Sequence, residues 1–206
     1  MTASDMAELN EALSELRSKE LQRLDEIPSS WLPLLGGLPP SAIRSTIADA
    51  VLTAETEASR LPRIAWLYAW MLPRRFVPAW ILYRTGATLT LDQCGSLFQD
   101  MALALRYPDV DVTLAWNATE RAVHSCLLLL APTHSTLKHS VAYVVVWPGT
   151  PLIAIHAPEG IIIDRMIRAL NAVFQDNPAE LLHYSHNLER AFLAGMAHVS
   201  NVQIIE

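Results

Sequence analysis

Two apolar runs separated by a short turn constrain the fold of this chain more than any other feature. The runs cover residues 141–147 and 152–155, and the four residues between them read Pro-Gly-Thr-Pro. Proline and glycine at such a position are typical of a tight turn between strands. An edge strand avoids near-continuous apolar sequence, because its unpaired backbone would recruit other chains. We therefore predict a hairpin in the centre of an antiparallel sheet.

The segments around the hairpin predict a mixed α+β domain. Residues 90–106 begin with a capping sequence and continue with apolar residues at helical spacing. Residues 111–116 alternate in polarity and residues 121–131 form another apolar run, so that with the hairpin they predict a four-stranded meander. Helical spacing of apolar residues returns in 161–174 and in 188–196. We expect these last two helices to cover the buried face of the sheet.

The first 86 residues have the pattern of a separate helical unit. Apolar residues three and four apart predict one helix over residues 5–27, which Pro28 ends. Proline and glycine then divide the rest into four predicted helices: 31–35, 41–51, 62–72 and 74–83. The predicted fold class is therefore α+β, with an all-helical bundle over residues 1–86 and an α+β domain with a central antiparallel sheet over residues 87–206.

The composition argues against several classes of protein. Of the 206 residues 51% are apolar, enough for a sizeable core, and the net charge of −6 argues against a protein that coats polyanions. Cys94 and Cys126 lie in apolar or helical patterns, so we expect reduced core thiols. The N-terminus lacks the apolar run of a signal peptide, and Pro73-Arg74-Arg75 interrupts the most hydrophobic stretch. We expect neither secretion nor a membrane span.

The sequence contains no strong catalytic motif. A Gly-rich phosphate loop, a nucleophile elbow, paired cysteines and HExxH are all missing. Glu180, His183, His186 and Glu189 recur every three residues, but on a helix they would drift around the axis, whereas a metal needs ligands that converge. A solvated helix face accounts for the same residues. We predict no metal site, no cofactor and no enzymatic activity.

The strongest functional signal is a cluster of arginines among aromatic residues. Residues 60–86 hold no acidic residue and five arginines: Arg60, Arg63, Arg74, Arg75 and Arg84. The tryptophans of this segment are typical of a core, but its arginines cannot all be buried. Nucleic-acid phosphates, an anionic membrane surface or an acidic protein would each match the charge. Surface arginines paired with scattered carboxylates would account for it equally well.

The order of the segments resembles the N-terminal part of the centromere protein N (CENP-N) family of the inner kinetochore. Five stretches, in the same order over nearly the whole chain, carry the likeness: EIPSSWLPLL (26–35), RIAWLYAW (63–70), LFQDMALALRYPDVDVTL (97–114), VAYVVVWPGTPLIAIH (141–156) and NLERAFLAG (187–195). The resemblance implies a pyrin-like helical bundle before the sheet. It also implies a nuclear adaptor at the centromere and kinetochore that binds centromeric nucleosomes during chromosome segregation.

The resemblance further implies sites and partners. In that family a basic groove between bundle and sheet holds nucleosomal DNA, the first helices touch the centromeric histone variant, and a C-terminal region pairs with CENP-L. The DNA contacts carried over by position are Arg44, Arg74, Arg75, Arg84 and Arg106. The histone contacts are Glu11, Glu15 and Lys19. These three are four residues apart, which places them on one face of a helix, as in ordinary i,i+4 pairs.

Two other functions stay open from the residues alone. The first is an unrelated, non-enzymatic interaction module that docks proteins on the segment rich in arginine and aromatic residues. The second is an enzyme, supported only by the cluster between residues 180 and 189. The observation that separates binding from scattered surface charge is whether Arg74, Arg75, Arg84 and Arg106 share one exposed concave face.

Overall fold

A computed structural model describes residues 3–27, 29–106, 110–132, 137–158 and 160–203 of the chain. Within them lie seven α-helices: α1 (Ala3–Ser14), α2 (Ser18–Leu21), α3 (Pro40–Leu52), α4 (Glu57–Met71), α5 (Leu91–Leu105), α6 (Ile161–Val173) and α7 (Leu188–Gln203). The six strands are β1 (Trp80–Arg84), β2 (Asp111–Ala118), β3 (Val123–Pro132), β4 (Leu137–Val146), β5 (Leu152–His156) and β6 (Glu180–Ser185). Short 3-10 turns, Gln22–Glu26 and Leu72–Arg74, follow α2 and α4.

The strands form one antiparallel sheet in the order β2-β3-β4-β5-β1-β6. The predicted meander is confirmed, because β2 to β5 are neighbours in chain order. The β4–β5 hairpin is central, with two strands on each side of it. Gly149 in its turn has a φ of 83°, a left-handed conformation that glycine adopts without steric cost. The mixed α+β class is likewise confirmed.

The all-helical bundle predicted for residues 1–86 is wrong. Residues 74–83 were predicted to be helical, but β1 begins at Trp80 and pairs with β5 on one side and β6 on the other. Both faces of β1 are buried, so its sequence is continuously apolar and lacks the alternation that identifies a strand. One hydrophobic cluster joins Leu13 of α1 and Trp70 of α4 to Leu82 and Tyr143 of the sheet. The N-terminal helices therefore pack on the sheet rather than around a core of their own.

The N-terminal segment also departs from prediction between residues 5 and 37. Helix α1 ends at Ser14, so residues 5–27 are not one helix. Residues 31–35 form no helix. Instead the Asp25 carboxylate accepts hydrogen bonds from the backbone N–H groups of Leu35 (2.8 Å) and Gly36 (2.7 Å). A side chain ten residues away thus holds this loop, which local spacing does not reveal.

Helices cover both faces of the sheet. On one face α5 and α6 contribute Phe98, Met101 and Met166 to a core with β3, β4 and β5. On the other, α1, α4 and α7 pack against the sheet, α3 packs on α1 and α4, and Ala191 of α7 lies in that core. The prediction that α6 and α7 share one face is wrong, because they lie on opposite faces. Burial on both sides explains the long apolar runs of the central strands. The two cysteines are buried free thiols, as expected.

Candidate anion-binding groove

A groove of about 1270 Å³ opens on the face of the sheet that carries α4 and α7. Its walls come from the 3-10 turns that follow α2 and α4, the β2–β3 turn, the β4–β5 turn and the start of α7. Four arginines line it, Arg23, Arg74, Arg75 and Arg121, together with two carboxylates, Glu120 and Glu189. The groove therefore carries an excess of positive charge in a chain whose net charge is −6.

Arg75 is a groove arginine whose side chain is held by contacts with three other residues. Its side chain is 15% exposed, donates a hydrogen bond to the Tyr143 hydroxyl (3.2 Å) and lies 3.6 Å from a Glu15 carboxylate oxygen. Its guanidinium also lies 5.8 Å from the ring centroid of Tyr68. These contacts connect the end of α1, α4 and β4. Arg75 therefore holds the helices on the sheet, and its charge is already partly neutralised.

Arg74 is held differently, by an aromatic ring and a backbone carbonyl. Its guanidinium lies over the Trp70 ring, 4.2 Å from the centroid, and donates to the Trp70 carbonyl oxygen at 2.6 Å. Burial, and after it the charge of Arg23, lowers the pKa of Arg74, so the two guanidinium groups repel each other. Within the described part of the chain, neither arginine has a carboxylate within 4 Å. Two neighbouring guanidinium groups whose charge no nearby carboxylate neutralises attract an anion into the groove.

The β2–β3 turn brings a third arginine to the groove. The Thr119 N–H donates to the Ala122 carbonyl (2.8 Å), and the Thr119 hydroxyl donates to the same oxygen (2.9 Å). These two hydrogen bonds to one oxygen fix the turn that carries Arg121. The Arg121 side chain is exposed and, among the residues that the structure describes, has no carboxylate partner.

His124 lies in the wall of the groove, on β3. It is 5% exposed, and its Nδ1 atom has no hydrogen-bond partner in the described residues. Burial, and after it the charge of Arg74, lowers the pKa of His124 to about 4, against a smaller opposing effect of the backbone of Asn117 and Ala122. The ring is therefore neutral at pH 7, and it lies near the positively charged guanidinium of Arg74.

The groove contains two of the five arginines predicted to bind DNA, Arg74 and Arg75. Arg44 is exposed on α3, and Arg106 is exposed directly after α5. Arg84 lies four residues along β1 from the groove residue Trp80 and is 3.6 Å from Glu180. These three do not line the groove. The predicted set does not share a single concave face.

Sequence reasoning missed two groove arginines. Arg23 sits alone in the 3-10 turn after α2, and Arg121 follows Glu120 in a hairpin turn. Neither belongs to a charge cluster in the sequence, so only the packing of distant elements brings them to Arg74. A weak signal existed in the exposed turn that precedes β3, since turn arginines are accessible to a partner.

The predicted histone contacts do not lie on one helix. Glu11 belongs to α1, Glu15 follows the end of α1, and Lys19 belongs to α2. The Ser14 hydroxyl donates to the Glu11 carbonyl oxygen (2.6 Å) in the last turn of α1. All three side chains are exposed, but Glu15 lies against Arg75. The one-face prediction is wrong because α1 ends at Ser14, between the first and second of these residues, and Lys19 belongs to a separate helix.

The cluster near residue 180 does not form a helix face. Glu180 and His183 are on the strand β6, His186 is in the next turn, and Glu189 is in α7. A bulge in β6 leaves Glu180 opposite Arg84 and His183 opposite Leu82, so these two side chains share one face of the sheet, whereas His186 and Glu189 lie beyond the strand. In the described ranges, no group of three or more histidine, cysteine or acidic side chains has the arrangement to hold a metal ion.

Comparison with known proteins does not identify this chain. No protein-family model and no curated protein matches it. Among the helices of the described segments, none combines the length and the apolar character needed to cross a bilayer. The groove is therefore the feature from which a function must be argued.

Proposed function

We propose that this chain is a non-enzymatic inner-kinetochore adaptor that binds nucleosomal DNA through phosphate contacts in the groove. The observation that supports DNA binding is the meeting of Arg23, Arg74 and Arg121 in one groove, with no carboxylate within 4 Å of any of them in the described residues. The kinetochore role and pairing with CENP-L rest on the resemblance to CENP-N.

Arginine suits this role because its planar guanidinium donates two parallel hydrogen bonds to a phosphate. Three such contacts would release counterions from DNA, so that affinity falls steeply with salt. A negative protein can still bind DNA locally, since charges beyond a Debye length of about 10 Å are largely screened at 0.1 M salt. The overall charge of −6 therefore does not oppose the proposal.

The test compares two double variants with the same change in charge. Arg23→Ala with Arg121→Ala removes two exposed groove arginines, and Arg44→Ala with Arg106→Ala removes two exposed arginines outside the groove. Affinity for duplex DNA and for nucleosomes is measured by fluorescence anisotropy from about 50 to 200 mM salt. The groove variant should lose about 2 from the log-log salt slope, about 1 for each phosphate contact.

The control pair also tests the positions inferred from the resemblance. We expect it to retain the salt slope of the unmodified protein. An equal loss in both variants would show a non-local charge effect, and a loss confined to the control pair would move the DNA-binding surface to α3 and the end of α5. Either result would overturn the groove as the DNA site. Circular dichroism of each variant verifies that the fold is retained.

The proposed histone contact involves Glu11, Glu15 and Lys19. Glu11 and Lys19 are the residues to change, because Glu15 also lies 3.6 Å from Arg75 and its loss would disturb packing. A double variant Glu11→Ala and Lys19→Ala should weaken binding to nucleosomes with the centromeric histone variant and leave naked duplex DNA unaffected. Unchanged binding of the double variant to nucleosomes with the centromeric histone variant would eliminate this contact.

Protein docking is the second candidate function. Phe76 and Leu193 line the same groove and are 64% and 60% exposed, unusual values for large apolar side chains. An acidic peptide with an apolar side chain would match these residues and the arginines together. In the anisotropy experiment, this function predicts no measurable affinity for DNA at low salt.

A further inference from the structure

We propose that His124 and Arg74 form a subsite for a single phosphate group in the groove, and that His124 takes up a proton when the phosphate binds. The proposal rests on the proposed function only in naming DNA phosphodiesters as the source of that group. A small phosphate diester tests the subsite without DNA.

His124 is part of the groove wall, so its ring lies next to any anion that the groove holds. Its cross-strand partners are Asn117 on β2 and Val145 on β4, and Asn117 also lines the groove. The ring is 5% exposed, and Nδ1 makes no hydrogen bond within the described residues. A buried polar atom without a partner costs about 1 to 3 kcal/mol. Because Nδ1 is itself buried, a ligand oxygen would supply that partner once the groove wall around the ring opens to admit it.

Proton uptake follows from the hydrogen-bonding chemistry of the ring. A phosphate diester offers only acceptor oxygens to a side chain. Neutral imidazole has one donor and one acceptor, whereas protonated imidazole has two donors. The protonated ring therefore binds a phosphate better than the neutral ring. Arg74 can donate to the same phosphate from the 3-10 turn after α4, with which His124 shares the groove wall.

The charges around His124 decide the sign of the pH effect. Facing the groove are Arg74 and Arg75 after α4, Arg23 after α2, Arg121 and Glu120 in the β2–β3 turn, and Glu189 in α7; the neighbours Asn117 and Val145 are uncharged. Four cations against two carboxylates oppose a proton on the ring while the groove holds no anion. A bound phosphate reverses this balance, so the pKa of His124 rises on binding.

Because the bound form holds an additional proton, affinity rises as pH falls. The increase reaches at most about tenfold per pH unit, the limit for uptake of one proton. This increase in affinity takes place between two pH values: the pKa of His124 without ligand, about 4, and its higher pKa in the complex. A phosphate diester does not itself titrate there, so any proton uptake belongs to the protein.

The first experiment follows the imidazole resonance of His124 by NMR in the full chain, from about pH 8 to about pH 3.5, a range that includes the ligand-free midpoint of about 4. The probe is dimethyl phosphate, and the His124→Asn variant assigns the resonance. We expect the titration midpoint of His124 to move to higher pH with the probe. The exposed His183 on β6 serves as internal control and should not move. An unchanged His124 midpoint at saturating probe would overturn the proposal.

The second experiment measures duplex DNA affinity at about pH 8 and about pH 5.5. The unmodified protein should bind more tightly at the lower pH, and His124→Asn should remove most of that change. His183→Asn should behave like the unmodified protein. Identical pH dependence in all three proteins would refute the proton-linked subsite.

Failure of the subsite is distinguishable from failure of the DNA-binding function. If the arginine variants lower the salt slope but His124 does not respond, the groove binds DNA and the subsite is wrong. If dimethyl phosphate moves the His124 midpoint but DNA does not bind, the subsite is correct and its phosphate comes from another ligand.

Discussion

Replacement of His124 with asparagine should reduce the sensitivity of the fold to mild acid. In the native protein, burial and Arg74 hold the pKa of His124 at about 4, whereas its ordinary value is 6.5. Between these two values the unfolded chain binds a proton that the native protein excludes. The contribution of His124 to stability is therefore fully present above pH 6.5 and is lost as pH falls toward 4.

The size of the effect follows from the two pKa values. Their difference of about 2.5 corresponds to a total loss of about 3 kcal/mol in the free energy of unfolding. Between pH 7.5 and pH 5.0 the same relation gives a loss of about 2 kcal/mol, because pH 5.0 is still above the native pKa of about 4 and the rest of the loss falls between these two values. The asparagine variant lacks this titration and should not show the loss.

Urea unfolding of both proteins at about pH 7.5, 6.0 and 5.0 measures this difference. The quantity of interest is the change with pH in one protein minus that in the other, so the baseline cost of the substitution cancels. His156, whose pKa burial also lowers, contributes equally to both proteins and cancels too. Stability curves that run parallel within about 0.5 kcal/mol would refute the buried, neutral state of His124.

Urea unfolding also tests three structural predictions. Gly195→Ala should lower the free energy of unfolding by about 1 kcal/mol or more, because its Cβ would lie 2.7 and 2.9 Å from buried leucine carbons of β1 and β5. Gly95→Ala, whose Cβ would be 3.9 Å from the nearest atom, should be neutral or stabilising. Equal effects of the two substitutions would contradict the close approach of α7 to the sheet. Arg75→Ala should cost about 2 kcal/mol, since it leaves a buried tyrosine hydroxyl without its partner, and Arg84→Ala less than about 1 kcal/mol; a neutral Arg75→Ala would refute its bridging role. Asp25→Ala should cost about 1 to 2 kcal/mol by releasing two backbone N–H groups, and an unchanged stability would refute this loop bond.

Local patterns were sufficient for much of the C-terminal half. The Thr90 and Gln93 capping box does begin α5, and the Gln93 side chain accepts from the Thr90 N–H at 2.9 Å. The apolar runs of β3, β4 and β5 and the Pro-Gly turn are confirmed as an antiparallel meander. These features depend on neighbours within a few residues, so the sequence alone determines them.

Tertiary structure decided the rest, because contacts between distant residues leave no periodic trace. Strand β1 has the composition of a buried helix, and only pairing with β5 and β6 makes it a strand. Arg75 looks like Arg74 in sequence, yet it contacts Glu15 and Tyr143, whereas Arg74 has no carboxylate within 4 Å in the described residues and lies over Trp70. The groove itself exists only where four separate turns and the start of α7 meet on one face of the sheet, and that meeting is set by packing rather than by any local spacing of charges.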